Sequence, residues 1–164
     1  MTAAISDLSN DLEIRTVRIF DAPRDLVWKA LTDPAHVDNW WGPDGFMNIT
    51  HKHEARAGGS WVFTMRGPDG TEYPNAITYR ERVAPERLAF RHGTSEVEDP
   101  DGDFNTVITL EDMGGKTRLT MIAVFKEKAA RDLVIREYGA VEGGRQHLDK
   151  LAAYVASLGV EHQP

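Results

Sequence analysis

Between Glu13 and Phe20 the polar and apolar positions alternate, with Ile14, Thr16, Arg18 and Phe20 on one side and Arg15, Val17 and Ile19 on the other. A period of two in a stretch rich in β-branched residues predicts a half-buried strand. The period then changes. Leu26, Val27, Ala30 and Leu31 recur at helical spacing behind Asp21, which can accept backbone N–H bonds, and Pro23, which suits a first turn. That helix ends near Asp33-Pro34, a second turn runs through Val37 to Trp40, and Gly42-Pro43-Asp44-Gly45 breaks it. From Met47 to Phe125, strand-like runs are separated by turns at Ala57-Gly58-Gly59, Gly67-Pro68-Asp69-Gly70, Ala84-Pro85-Glu86-Arg87 and Met113-Gly114-Gly115, which predicts six strands of an antiparallel meander. Residues 129–158 form the longest helical stretch, with Val134, Tyr138, Val141, Leu148, Leu151, Ala152 and Val155 along one stripe.

The order strand, two short helices, six strands and long helix defines an α+β fold with a curved antiparallel sheet of about seven strands. One amphipathic helix covers only one face of a sheet, so an open half-barrel wrapped around the C-terminal helix meets the constraint. A single domain is expected over residues 12–158, with flexible termini at 1–11 and 159–164.

Alternation within Ser60–Arg66 sets Trp61, Phe63 and Met65 on one face of their strand. A four-residue loop at Ala84–Arg87 predicts Val83 opposite Leu88, Glu81 opposite Phe90 and Tyr79 opposite His92, all on one side. An odd loop at Met113–Gly115 predicts Leu110 by Leu119, Ile108 by Met121 and Phe104 by Phe125. A small sheet around one helix leaves internal space unless large side chains meet at its centre. Gly143-Gly144 interrupts the helix, where each glycine costs roughly 1 kcal/mol against alanine. The pair either leaves room for a ligand or permits close packing or a kink.

Composition narrows the function classes. With 19 Lys and Arg against 26 Asp and Glu, the net charge is −7 and the pI about 5.3, which argues against nucleic acid as a partner. Cysteine is absent, which excludes disulfides, thiolate nucleophiles and thiolate metal sites and suits a reducing compartment, so a cytoplasmic location is expected. The start MTAAISDLSNDLEIR lacks the basic opening and apolar run of a signal peptide, and no membrane association is expected.

Several motifs stand in a definite order: Asp21-Ala22-Pro23 before Val27-Trp28, Trp40-Trp41-Gly42-Pro43, Arg56-Ala57-Gly58-Gly59-Ser60-Trp61, Pro68-Asp69-Gly70, Pro85-Glu86-Arg87-Leu88 and Leu148-Asp149-Lys150-Leu151-Ala152. Together they resemble the family of homologues of the heat-shock-chaperone ATPase activator, within the START, polyketide-cyclase and birch-allergen-like superfamily. The resemblance runs from about residue 13 to 157 and implies the helix-grip fold. It implies a range of activities as well: lipid carriage, polyketide cyclisation, toxin binding and chaperone assistance. Members often carry Gly-Trp in the last helix where this chain has Gly143-Gly144, a departure that changes the expected cavity.

Candidate chemistry is sparse. His51-Lys52-His53-Glu54 sets two imidazoles two residues apart on one strand face, a spacing some metal sites use, yet no third ligand is placed by sequence, and exposed strand histidines are the preferred reading. The acidic loop Glu98-Asp99-Pro100-Asp101-Gly102-Asp103 lacks the ligand series of a calcium loop. Tyr79, Glu81 and His92 are the catalytic candidates, as a polar cluster inside an apolar pocket, with hydrogen bonding to buried backbone or to Arg91 or Arg145 as their competing role. Trp40 and Trp41 stand near the expected cavity mouth, and Trp28 reads as an anchor. Gly58-Gly59 and Gly114-Gly115 lack the context of a nucleotide site.

The leading expectation is a binding module for a small apolar or aromatic molecule, held by Trp41, Trp61, Phe63, Met65, Tyr79, Phe90, His92, Tyr138 and Val141, with no cofactor and no metal. A cyclase- or hydrolase-like enzyme using the same cavity is the alternative. A chaperone or other protein partner follows from the resemblance alone, and a homodimer interface could cover an apolar surface.

Overall fold

The computed structural model describes residues 4–99 and 102–161, with side chains as far as Leu158. The elements are β1 (Ile5–Asp7), β2 (Glu13–Phe20), α1 (Arg24–Thr32), α2 (Pro34–Val37), β3 (Met47–His53), β4 (Ser60–Arg66), β5 (Glu72–Val83), β6 (Arg87–Gly93), β7 (Phe104–Asp112), β8 (Thr117–Val124), α3 (Lys128–Tyr138) and α4 (Ala140–Glu161). All the strands join one antiparallel sheet of eight in the order β1-β2-β8-β7-β6-β5-β4-β3. The meander thus returns to the N-terminal strand, and α1 and α2 carry the chain from β2 to the far edge at β3. Helix α4 lies against α1 and β2.

Alternation decides what the sheet buries. Phe20, Trp61, Phe63, Ile77, Leu88, Ile108 and Leu119 meet Leu148, Leu151 and Val155 of α4 in one core. The last hairpin has the expected register, with Leu110 opposite Leu119 and Ile108 opposite Met121, while the Phe104 and Phe125 rings stack 5.1 Å apart. Arg91 is buried under the loop after β6, where it pairs with the buried Asp103 and donates to Thr78 Oγ1 and to the carbonyls of Ser95 and Glu96.

Four features differ from the sequence reading. Ile5–Asp7, expected in a loose N-terminus, pairs with β2 through Ile5 opposite Val17, which makes eight strands rather than seven. Its turn is tied down by buried Arg131, whose Nη1 donates to the carbonyls of Leu8 and Asn10. Of the expected loose ends, residues 1–3 and 162–164 lie outside the described residues, as do Pro100 and Asp101 of the acidic loop. The C-terminal helix is two helices, because Gly139 takes a left-handed φ of 60° and its N–H bonds back to Val134 O. In the β5–β6 hairpin Val83 faces Arg87, not Leu88, and a bulge at Arg80 leaves Tyr79 opposite Phe90 and Ile77 opposite His92. A second bulge, at His51, puts His51 on the outer face against Thr64 and His53 on the inner face against Trp61, so the two imidazoles do not share a side.

Candidate functional site

A hollow of about 580 Å³ opens between the inner face of the sheet and the junction of α3 with α4. Phe90, Phe104, Met65 and Phe125 form its sheet wall, and Ala140, Gly143, Gly144 and His147 its helix wall. Tyr138, 77% exposed, and Tyr73, 44% exposed, also line it and mark where it meets the surface. The helix residues recur at spacings of three and one, which sets them on one face of α4.

The inner end of the hollow is Trp41, and its position is built locally. Asp33 caps α2 by accepting the Ala35 N–H at 2.9 Å, and Trp40 anchors the following turn by donating from Nε1 to Ala30 O at 2.8 Å. Gly42 then turns with φ of 97°, a left-handed conformation that favours glycine, and the Met65 methyl packs against it. Helix α4 holds the segment from above: Gly42 N donates to His147 Nδ1, Asp44 N to Gln146 Oε1, and Lys150 Nζ to Pro43 O, each at 3.1 Å. The Trp41 ring consequently meets Trp61 at 5.2 Å, His147 at 4.4 Å and His92 at 6.5 Å between centroids.

Two histidines supply much of the polarity. His92 Nε2 lies 2.8 Å from Asn75 Oδ1, and Asn75 in turn donates from Nδ2 to Tyr73 O, so the amide oxygen accepts and His92 carries its proton on Nε2. His147 uses Nδ1 as the acceptor for Gly42, which puts its proton on Nε2. Burial disfavours the imidazolium in both, pushing His92 down to about 4 and His147, which also feels Lys150, to about 3. Both rings are neutral at physiological pH.

Of the expected ligand residues, Trp41, Met65, Phe90, His92 and Tyr138 line the hollow. Trp61 and Phe63 stack on each other at 3.9 Å within the packed core, beyond Trp41. Tyr79 shares a 2.6 Å hydrogen bond with His53 Nε2 and lies under the Arg82 guanidinium. Val141 is half-buried off the lining face, because the break at Gly139 resets the helical phase. The catalytic cluster does not assemble: the bulge at Arg80 sends Glu81 outward, where it pairs with Arg87, while Tyr79 and His92 bond to different partners. Phe104 and Met121, placed by the register of the last hairpin, line the hollow as well, whereas His147, Asn75 and Phe46 were not anticipated. His147 was detectable in principle, three residues after Gly144 on the same helical face.

Fold and hollow together define a helix-grip protein of the α+β class. A family model described as Activator of Hsp90 ATPase homolog 1-like protein matches residues 21–156, and the chain belongs to that family. A protein from Arthrobacter aurescens, solved by NMR in solution, is similar with a TM-score of 0.86 and 28% identity, over 95% of this chain and 93% of that one. A crystallised protein from Mycobacterium smegmatis is similar at 0.77 and 25% identity, over 93% and 94%. The AHSA1 protein from Silicibacter pomeroyi, at 0.69 and 24% over 92% and 99%, shares the fold. No curated protein matches the chain. Family and fold fit a ligand-binding or chaperone-related role. Among the described residues no helix is long and apolar enough to cross a membrane.

Proposed function

We propose that this protein binds a small, largely apolar, ring-bearing molecule in the hollow between the sheet and α4, in the cytoplasm that its lack of cysteine suits. One observation carries the reading. A space of about 580 Å³, walled by aromatic and aliphatic side chains, is kept open by two consecutive glycines in a helix that would gain stability from alanine there. Binding fits better than acid-base catalysis, because an imidazole held near 4 is a poor base around neutrality and the candidate partner carboxylate, Glu81, faces outward.

The test uses N-phenyl-1-naphthylamine, a neutral probe that fluoresces in apolar surroundings, against the wild type and Gly144→Trp, whose indole would occupy the hollow. Saturable enhancement in the wild type that disappears in a folded Gly144→Trp supports the reading. Equal enhancement in both, or none in either, refutes it.

A further inference from the structure

The hollow is apolar in a particular way. Among its described lining residues there is no Asp, Glu, Lys or Arg. A charged ligand group entering it would lose its hydration without gaining a counter-ion, so the site discriminates against ions. Yet it is not featureless. Each histidine spends one ring nitrogen inside the protein, His92 on Asn75 and His147 on Gly42. Their second nitrogens have no partner among the described residues, and neither is sealed away among the buried polar atoms without a hydrogen bond.

The tautomers set by those bonds make the two free nitrogens complementary. His92 offers a lone pair at Nδ1, and His147 offers an N–H at Nε2. Both rings contact Trp41, at centroid distances of 6.5 and 4.4 Å, so the two imidazoles border the same indole in the lining of the hollow. Resting on the binding role set out above, we infer that the ligand is a neutral aromatic bearing a hydroxyl of the phenol type, which donates to His92 Nδ1 and accepts from His147 Nε2–H. A hydroxyl is the smallest group that does both, and its absence would leave two buried imidazole nitrogens unpaired beside the ligand, the arrangement that gives hydrogen-bonding pockets their selectivity. Asn75 is a positioning residue, fixing the His92 tautomer through Oδ1.

The experiment is calorimetric titration at pH 7.5 with four probes of one ring system: 2-naphthol, 2-methoxynaphthalene, 2-ethylnaphthalene and 2-naphthoate. The expected order of affinity is naphthol, then the methoxy compound, then the ethyl compound, then the carboxylate, with naphthol about tenfold or more tighter than 2-ethylnaphthalene. In His92→Phe the naphthol should fall to the level of the methoxy compound, and in His147→Phe the methoxy compound should fall to the level of 2-ethylnaphthalene while the naphthol keeps part of its advantage through His92. Retained binding of 2-ethylnaphthalene in each variant shows that the site is still formed. If the neutral probes bind the wild type equally, or the carboxylate binds best, the hydroxyl assignment is overturned while the apolar site stands. If none of the four binds, the ligand-binding reading itself fails and this assignment fails with it.

Discussion

Gly144 is the residue at which stability and cavity space can be separated. It lies in the second turn of α4, where glycine is about 1 kcal/mol less favourable than alanine. A Cβ built there would meet Thr16 Oγ1 at 3.5 Å and Met121 Cε at 3.7 Å, both ordinary contacts, and at Gly143 it would meet only Pro43 Cγ at 3.9 Å. The Thr16 hydroxyl has no hydrogen-bond partner among the described residues, so a methyl beside it displaces none. Gly144→Ala should therefore raise stability by about 1 kcal/mol, which for a chain of this size is a rise of about 2–4 °C in Tm. Urea unfolding followed by tryptophan fluorescence and a calorimetric scan measure both quantities. Filling the wall further should cost binding before it costs folding, the trade expected where a protein keeps space for function. A loss of 1 kcal/mol or more in Gly144→Ala would refute the reasoning, because it would mean that α4 needs glycine for its approach to β2.

Other outcomes follow from buried polar groups. His92 and His147 resist protonation when folded, down to about 4 and about 3, whereas an unfolded histidine takes up a proton near 6.5. Stability should then be insensitive to these groups above pH 6.5 and fall as pH drops below it, by about 2 kcal/mol per histidine at pH 5. Urea unfolding at pH 7.5 and 5 should show a smaller fall in His147→Phe than in the wild type, and an unchanged fall would contradict the assignment. Arg91→Met strands Asp103, whose side chain is 9% exposed, and should cost about 3–5 kcal/mol in chemical denaturation, with Arg91→Met/Asp103→Leu recovering much of it. Arg131→Ala removes the donors that hold the Leu8 and Asn10 carbonyls, and hydrogen exchange at Ile5–Asp7 should accelerate by at least tenfold while exchange in β7 and β8 stays unchanged.

The architecture was legible because local signals agreed with one another. Period-two alternation in β2 and β4, glycine-bearing turns and a long amphipathic C-terminal segment each pointed to a curved sheet around a helix, and the β7–β8 register followed from the hairpin at Met113–Gly115. The failures have a common physical source. A bulge adds one residue and reverses every side chain beyond it, so one unread bulge at Arg80 separated Glu81 from Tyr79, and another at His51 split the paired imidazoles. Gly139 acts similarly on the helix: a continuous stripe through Val134, Tyr138 and Val141 assumes one phase, and a left-handed residue in the middle resets it.

The site was less legible than the fold for a related reason. Trp41, Met65, Phe90 and His92 could be placed because each sits on a strand or helix end whose direction the pattern gives. The residues that determine what the hollow accepts depend on hydrogen bonds across the chain, which periodicity does not encode. His147 meets Gly42, 105 residues away, and that one bond both fixes the imidazole tautomer and holds Trp41 at the inner end of the hollow. His92 meets Asn75 across the β5–β6 pair, 17 residues away, in the register that the bulge at Arg80 sets, with Ile77 opposite His92. The binding chemistry thus follows from a neutral donor and a neutral acceptor, each set by a single long-range partner and each packed against the same indole. Losing either partner should therefore change what the site selects more than whether the domain folds.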